Sequence, residues 1–288
     1  MSLSDNATKS IHIVAGAAGT TFEYPNKFTL RLPASGFRTD RDEVALKSLS
    51  VYFSWPNISA EKGNNSFAYV WPDGSVTKAV VMADGIWSFG DVQSYLQQVM
   101  REAGHYLLDQ NGLPVYYMSL QVNSTLYCLS LICTPLPAVL PAGWTNPANV
   151  NLAAAAAKCP QLVIPASLSK FTGFAAGTYP AAAQTTVYGI NSGVPQVSDV
   201  TSLNLICNLV DNSGFSMTPG ILSSFVMASG QEAGTQINVM PNERDWVAII
   251  PSKMFTEIEL ELVDQRRRPV VIRDPAGFVA VLNVRRRR

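Results

Sequence analysis

Apolar and polar residues alternate along most of the chain with a period of two, which is typical of β-strands with one buried face. The clearest case is residues 255–264. Its two faces carry three glutamates and three aliphatic residues: Glu257, Glu259 and Glu261 on one, and Ile258, Leu260 and Leu262 on the other. This segment is therefore predicted to be a strand with a solvated or partner-facing surface and a core-facing surface.

The last part of the chain continues this pattern as a tightly built β-meander. A polar turn at residues 265–268 precedes a short apolar strand, 269–272, and a second turn at 274–277 precedes the apolar strand 278–284. The chain then ends in four consecutive cations, Arg285, Arg286, Arg287 and Arg288. We interpret residues 285–288 as a basic C-terminal arm that reaches for something anionic.

One segment departs from the β pattern and predicts a helix over residues 89–103. Val92, Tyr95, Leu96, Val99 and Met100 recur at helical spacing. Ser88 and Asp91 form a loose capping box before these residues, and Gly104 supplies a stop after them.

Elsewhere, short strands and turn signals follow one another closely, and residues 114–121 and 125–133 are predicted to form a hairpin. Residues 134–200 are rich in Pro, Gly and Ala and predict little regular structure. Many strands with a single clear helix predict an all-β fold, namely a β-sandwich or jelly roll.

Charge is low and unevenly distributed. Charged residues make up 15% of the chain, below the average of about 25%, which favours extensive burial in an assembly. Residues 1–265 hold 13 Lys+Arg and 20 Asp+Glu, whereas residues 266–288 hold eight Arg and one Asp, so a net charge of −7 is followed by +7. An acidic body with a basic end indicates contact with nucleic acid or another anionic surface; the alternative is a solvated terminus that aids solubility.

The cysteines and the apolar segments bear on the compartment. Cys128, Cys133, Cys159 and Cys207 show no metal-binding spacing, and we expect buried, reduced thiols and synthesis inside a cell. The polar N-terminus predicts no signal peptide, and Pro, Gly or Asn interrupts each apolar stretch before it reaches membrane-spanning length. We therefore expect no membrane insertion.

No motif for catalysis, a cofactor or a metal is found. The two histidines, His12 and His105, are far apart, and we expect His105 to make a structural hydrogen bond. Nucleophile elbows, phosphate-cradling loops and dinucleotide fingerprints are lacking, and nothing favours the carboxylate pair of a glycosidase. We predict that the chain is not an enzyme.

Two sets of residues carry a resemblance to a known family. The first set, within residues 65–137, is Phe67, Tyr69, Trp71, Asp73, Gly74, Asp84, Gly85, Ile86, Trp87, Ser88, Tyr95, Leu96, Gln97, Gly104, His105, Tyr106, Leu107, Asp109, Asn111, Gly112, Tyr117, Asn123, Tyr127, Thr134, Pro135 and Pro137. The second, in the C-terminal strands, is Phe255, Glu257, Ile258, Asp264, Arg268, Pro269 and Val270. In these residues the chain is similar to the minor capsid, or penton, proteins of polinton elements, virophages and polinton-like viruses. The chain departs from the family at residues 266–268. The family leads us to expect a glycine in this turn, whereas this chain has three consecutive arginines.

The resemblance implies a structural protein of the virion, made inside the host cell. It would be a single jelly roll that assembles as a homopentamer at the five-fold vertices of an icosahedral DNA virus, within a shell of a double-jelly-roll major capsid protein. Such pentons can carry a β-rich insertion that points away from the shell. We expect the jelly roll at residues 1–137 and 236–288 and the insertion, or long loops, at 138–235.

Within that picture Arg285, Arg286, Arg287 and Arg288 would contact genomic DNA or an acidic neighbouring subunit. Two other functions stay open. Abundant Tyr and Trp residues also suit a receptor- or carbohydrate-binding β-sandwich of the fibre or lectin kind, although a core or a subunit interface uses the same residues. A major capsid protein of the same lineage would need two jelly rolls, for which 288 residues are few.

Overall fold

The computed structural model describes residues 8–73, 76–148, 150–155, 157–210, 220–227, 234–242 and 245–287. Gly74 and Arg288, which entered the predictions above, lie outside these residues, as do residues 1–7 of the N-terminus. The chain forms two compact units. The first comprises Met1–Trp55 and Val200–Arg288, and the second comprises Pro56–Asp199.

Strands dominate both units. The first unit contains β1 (Lys9–Val14), β2 (Thr20–Glu23), β3 (Lys27–Arg31), β4 (Phe37–Arg38), β5 (Asp42–Tyr52), β15 (Ser202–Cys207), β16 (Ile221–Val226), β17 (Gln236–Val239), β18 (Val247–Ala248), β19 (Met254–Phe255), β20 (Glu257–Asp264) and β21 (Val279–Arg286). The second contains β6 (Ser66–Trp71), β7 (Val76–Val81), α1 (Phe89–Glu102), β8 (Leu107–Leu108), β9 (Pro114–Val115), β10 (Met118–Asn123), β11 (Cys128–Cys133), α2 (Leu152–Ala155), β12 (Gln161–Ile164), α3 (Ser169–Thr172), β13 (Gly177–Tyr179) and β14 (Tyr188–Asn191).

The first unit is a jelly roll. One sheet has the order β1-β21-β5-β17, with β18 also paired to β5, and the other has the order β16-β15-β20-β3-β2. All of these pairs are antiparallel. The chain crosses repeatedly from one sheet to the other and so forms the two interlocked Greek keys of this fold. Their eight strands are β1, β3, β5, β15, β16, β17, β20 and β21. The predicted all-β jelly roll is thus confirmed.

Alternation of residue types builds the core between these two sheets. In β20 the side chains of Ile258, Leu260 and Leu262 are fully buried, and the intervening glutamates are half-buried. The aliphatic face joins one apolar cluster with buried residues of the opposite sheet, such as Leu282 of β21 and Leu49 of β5. The predicted two-faced strand is therefore confirmed.

The turn after β20 explains the departure from the family pattern. Arg267 has a φ of 62°, in the left-handed region that favours glycine. The buried Asp264 carboxylate accepts hydrogen bonds from the backbone N–H groups of Arg266 (2.7 Å) and Arg268 (2.9 Å), and from the Arg268 Nε (2.7 Å). These hydrogen bonds to Asp264 stabilise the turn, although the residue at position 267 is not a glycine.

The second unit packs strands and helices around its own core. Its larger sheets have the orders β13-β12-β6-β7 and β10-β11-β14, and a short hairpin joins β8 to β9. Helix α1 matches its prediction. Ser88 and Asp91 form a reciprocal capping box, and Val92, Leu96, Val99 and Met100 are buried. Strands β10 and β11 form the predicted hairpin, with the turn at residues 124–127.

The boundaries of the two units differ from the expected division at residues 137 and 236. Residues 200–210 and 220–227 belong to the jelly roll because β15 pairs with β20 and β16 pairs with β15. Helix α1 and the segment 65–137, which the sequence placed in the jelly roll, belong to the second unit, whose core they share. The β-rich insertion is therefore residues 56–199, which the chain enters after β5 and leaves before β15.

Candidate interaction site at one end of the jelly roll

Three of the four terminal arginines are fixed to the sheet and do not form a free arm. Arg285 and Arg286 belong to β21, where they lie opposite Glu43 and Asp42 of β5. The backbone N–H of Arg287 donates to the Arg41 carbonyl at 2.5 Å, which extends the pairing by one residue. The hypothesis of an arm at residues 285–288 is corrected accordingly for Arg285, Arg286 and Arg287.

Arg285 is held by a carboxylate and an aromatic ring. Its Nε and Nη2 donate to the Oε2 of Glu43 at 3.1 and 2.9 Å, and its guanidinium carbon lies 3.9 Å from the centre of the Trp246 ring. Cation–π contact and charge-assisted hydrogen bonds both orient a guanidinium strongly. The Oε1 of Glu43 lies 3.6 Å from the Nε of Arg287, so one carboxylate serves two arginines.

Arg286 is paired with another carboxylate of the same segment. Its Nη2 lies 3.2 Å from the Oδ2 of Asp40, and the two side chains are 42% and 69% exposed. Ion pairs this exposed contribute little to stability, and their partners exchange readily with other ions. Arg286 and the 66% exposed side chain of Arg287 therefore remain accessible to an external anion.

Three further cations, which the sequence analysis missed, are brought to the same end of the jelly roll. The carbonyl of Arg41 accepts the backbone hydrogen bond from Arg287. Arg38 lies opposite Met254 in the β4–β19 pair. Lys253 is next to this pair, and its carbonyl accepts a hydrogen bond from the N–H of Thr39 at 3.1 Å. Arg38, Arg41 and Lys253 are exposed. We call the six residues Arg38, Arg41, Lys253, Arg285, Arg286 and Arg287 the basic end.

The basic end carries more positive than negative charge. Segment 40–43 supplies three carboxylates, those of Asp40, Asp42 and Glu43, against six cationic side chains. Asp42 is buried and accepts a hydrogen bond from the backbone N–H of Asp40 at 3.0 Å. The surface can therefore attract phosphates or carboxylates, and guanidinium groups suit either, but nothing in it is arranged to read base edges.

Arginines at residues 266–268 do not belong to the basic end. Strand β20 starts next to β19, which pairs with β4 at the basic end. It runs away from there and finishes with Asp264 at the opposite end of the sheet. The concentration of positive charge over residues 266–288 is thus divided between two ends of the jelly roll. Within this unit, Tyr52 and Ser202, the strand ends that lead to and from the second unit, lie at the end opposite the basic end.

His105 makes the structural hydrogen bond that the sequence predicted. Its Nδ1 lies 2.7 Å from the Tyr69 hydroxyl, and its ring stacks on Trp71 with a centroid distance of 4.7 Å. Burial lowers the pKa of His105 to about 4, and nearby Lys78 adds to that effect. Burial also raises the pKa of Tyr69. The neutral, stacked imidazole is half-buried and packs against the core residues Tyr69 and Trp71.

The other candidate groups have structural partners or lie apart. Glu259 pairs with Lys27 at 2.7 Å, and Glu261 accepts from Asn26 at 3.1 Å. Within the described ranges no group of three or more His, Cys, Asp or Glu residues could hold a metal ion. None of the helices in the described part is long and apolar enough to cross a membrane.

The ten Tyr and Trp residues that could form a carbohydrate-binding face differ in exposure. Trp55, Tyr69, Trp71 and Tyr117 are buried, and Tyr52, Trp87, Tyr95, Tyr106 and Tyr116 are half-buried. Tyr127, in the turn between β10 and β11, is 76% exposed. The four buried residues belong to the cores of the two units.

Comparison with known proteins gives similarity of structure without similarity of sequence. No protein-family model matches the sequence, and no curated protein matches it. The mavirus penton protein is similar in structure, with a TM-score of 0.45, 10% identity and coverage of 97% of this chain and 98% of that one. A chain of the Sputnik virophage structure, solved by cryo-electron microscopy, is similar with a TM-score of 0.46, 12% identity and coverage of 98% of both chains.

Proposed function

We propose that the chain is a structural capsid protein of an icosahedral DNA virus and that five copies form the penton at each five-fold vertex. The observation that carries this proposal is the strand order of the first unit, a jelly roll with a separate unit inserted between β5 and β15. Jelly rolls of this kind serve as rigid building blocks of viral shells. The resemblance of residues 65–137 and of the C-terminal strands to penton proteins narrows the role to the vertex.

A five-fold ring needs two different contact surfaces on each subunit, because its interfaces are heterologous and close by rotation. A two-sheet sandwich has two such flanks. Strands β1 and β2 lie along one flank, and β16, β17 and β18 lie along the other. Loops at both ends stay free to vary while the sandwich stays rigid. The proposed ring therefore uses the flanks of the jelly roll as its contact surfaces.

The basic end gives the proposed subunit a direction. It lies at the end of the jelly roll opposite Tyr52 and Ser202. We place the basic end toward the anionic interior of the shell, where Arg286 and Arg287 contact genomic DNA through its phosphates. An acidic segment of the surrounding double-jelly-roll major capsid protein is the competing partner for the same cations.

The fold argues against the alternative function of a major capsid protein. Such a protein carries two jelly rolls, whereas the second unit here has a four-stranded and a three-stranded sheet with an α-helix in its core. The receptor- or carbohydrate-binding alternative is favoured by one observation, the exposed Tyr127 at a hairpin turn. It predicts that the isolated protein binds sugars.

The mass of the purified full chain in solution, measured by light scattering and supported by negative-stain images, tests the proposal. We expect rings with five times the 31.2 kDa mass of the chain. A stable trimer would contradict the vertex role. So would a monomer that binds glycans and stays out of particles when a double-jelly-roll major capsid protein is co-expressed.

A further inference from the structure

A long stretch of the second unit is almost without charge. Between residues 110 and 198 the chain contains only Lys158 and Lys170, so 40 of its 42 charged residues lie elsewhere. Soluble surfaces are ordinarily rich in Lys, Glu and Asp, and these residues are depleted where protein surfaces are covered by other protein chains. The second unit therefore presents the composition of an interface.

Exposed apolar side chains are concentrated in the same region. Thirteen large apolar residues are exposed among the described residues, and eight of them fall between residues 110 and 198. These are Leu113, Val122, Leu126, Tyr127, Val139, Val187, Val194 and Val197. Single exposed apolar residues are common, but their grouping on an uncharged surface marks an interaction site.

Strand β14 is an edge strand of its sheet in this region, although the N–H of Gly193, just after the strand, donates to the Gly173 carbonyl at 2.9 Å. The sheet order β10-β11-β14 leaves one side of β14 without a strand. At the other margin of the sheet, the Gln93 side chain of helix α1 accepts a hydrogen bond from the Leu120 N–H at 2.7 Å and so covers β10. Proteins usually protect an open edge with charge or proline, yet residues 187–194 contain neither.

One exposed valine lies before strand β14 along the chain and another lies after it. Val187 precedes β14 and is 63% exposed, and Val194 follows it and is 73% exposed. A Cβ atom added at Gly189, inside the strand, would meet nothing within 4 Å, so an approaching backbone has room. We call residues 187–194 the β14 edge.

The turn between β10 and β11 extends the same surface. The backbones of Ser192 and Leu129 are joined by a hydrogen bond of 2.8 Å, and the Ser192 hydroxyl accepts from the Leu129 N–H at 2.9 Å. The C-terminal part of the β14 edge therefore lies beside the strand that begins just after Tyr127. Tyr127 has a φ of 49°, unusual for an aromatic residue, and strained backbone of this kind often occurs at contact sites.

We propose that the β14 edge is the surface through which the second unit binds the second unit of a neighbouring copy of this chain. The inference rests on the proposed ring. Rotation about a ring axis keeps every residue at its own height, so the weakly charged stretch 110–198 of one copy faces the same stretch of its neighbour. Nucleic acid or a strongly charged protein would find almost no opposite charge here, whereas a strand of a second copy satisfies the open edge by β-augmentation.

Two lysines placed on the edge test this proposal in the full chain. The double variant Val187→Lys with Val194→Lys puts positive charge on both flanks of β14 at exposed positions. The matched control, Val81→Lys with Met254→Lys, adds the same charge at two exposed apolar positions outside residues 110–198. Sedimentation velocity over a concentration series gives the assembly state of each, and melting temperatures check folding.

We expect the edge variant to need at least about tenfold more protein for half-assembly, because the two lysines would place unpaired charge against an apolar surface of the neighbouring copy. The control is expected to assemble like the wild-type protein, with all melting temperatures unchanged. Equal assembly of edge variant and control would overturn the inference, and so would a wild-type chain that stays monomeric at every concentration.

The two proposals fail in different ways. A wild-type pentamer that the edge lysines leave intact keeps the vertex role and rejects the β14 edge. A wild-type dimer or trimer that the edge lysines dissociate supports the β14 edge and rejects the five-fold ring. An exposed edge valine changed to threonine, Val194→Thr, should preserve assembly, because it retains β-branching and adds no charge.

Discussion

Phe28 stacks face to face on Phe278, with ring centroids 3.6 Å apart and planes 5° from parallel. Phe28 belongs to β3 in one sheet, and Phe278 directly precedes β21 in the other. Both side chains are fully buried. This stacked pair joins the two sheets of the jelly roll and ties the C-terminal strand to the N-terminal part of the chain.

Replacing one of these rings should destabilise the jelly roll severely. We expect Phe278→Ala to lower the free energy of unfolding by about 3–5 kcal/mol, because a buried cavity forms and the remaining ring loses its stacking partner. Urea unfolding followed by tryptophan fluorescence measures this change. Tyr127→Ala, at an exposed position, is the control and should change stability by less than about 0.5 kcal/mol. A small effect of Phe278→Ala would show that the two sheets are held together elsewhere.

Acid should destabilise the second unit through His105. Its pKa is about 4 in the folded chain and about 6.5 in an unfolded one. Between these values the unfolded chain binds a proton that the folded chain lacks, so stability falls as the pH is lowered from about 6.5 to about 4. Lys78 favours the neutral ring and Asp73 opposes it, both less strongly than burial.

Melting temperatures measured across this pH range check the prediction about His105. In His105→Gln, which keeps a polar group near the Tyr69 hydroxyl, the part of the pH dependence that is due to this residue should disappear. His12→Gln, which replaces an exposed histidine of β1, is the matched control for the loss of an imidazole. An unchanged acid dependence in His105→Gln would assign it to other groups.

The four thiols should be unreactive in the native protein. Cys128, Cys133, Cys159 and Cys207 are free and buried. Burial raises the pKa of Cys133 and Cys207 to about 12, so neither is a thiolate near neutral pH. Titration with dithionitrobenzoate at pH 8 should detect no thiol before unfolding and four in denaturant. Ser124→Cys, at the exposed hairpin turn, should add one thiol that reacts at once, whereas fast reaction in the wild-type chain would place a native cysteine at the surface.

Local patterns predicted several elements because neighbours in sequence determine them. The capping residues of α1, the alternation in β20 and the hairpin of β10 and β11 all follow from residues only a few positions apart. The predicted C-terminal meander was wrong: residues 269–272 form no strand, and β20 and β21 belong to different sheets. The division into units did not follow from the sequence. It depends on which distant strands pair, such as β15 with β20, and nothing in the residues of either strand specifies its partner.

The candidate site shows the same limit. The run of terminal arginines was visible, yet its partners in the fold were not, because the Arg285–Glu43 ion pair joins positions 242 residues apart. Arg38, Arg41 and Lys253 are isolated cations in the sequence and become a cluster only when β4 pairs with β19. A charge run therefore predicts an anion-binding surface but not which charges are already neutralised by the chain itself.

The last prediction separates the two partners proposed for the basic end. If the basic end binds DNA phosphates, Glu43→Gln should strengthen binding to random-sequence duplex DNA, since it frees Arg285 and Arg287 from their carboxylate. Glu23→Gln removes the same charge from an exposed position on β2 and should have a smaller effect. Fluorescence anisotropy over a series of salt concentrations measures both affinity and its salt dependence.

The same titration of Arg286→Ala with Arg287→Ala should weaken binding equally for all sequences, because phosphate contacts carry no base information. The slope of the logarithm of affinity against the logarithm of salt concentration should shrink by about 0.9 for each phosphate that the variant no longer neutralises. Equal effects of Glu43→Gln and Glu23→Gln would mean that only total charge matters. Unchanged DNA binding in the double alanine variant, together with reduced incorporation into particles, would assign Arg286 and Arg287 to an acidic protein neighbour.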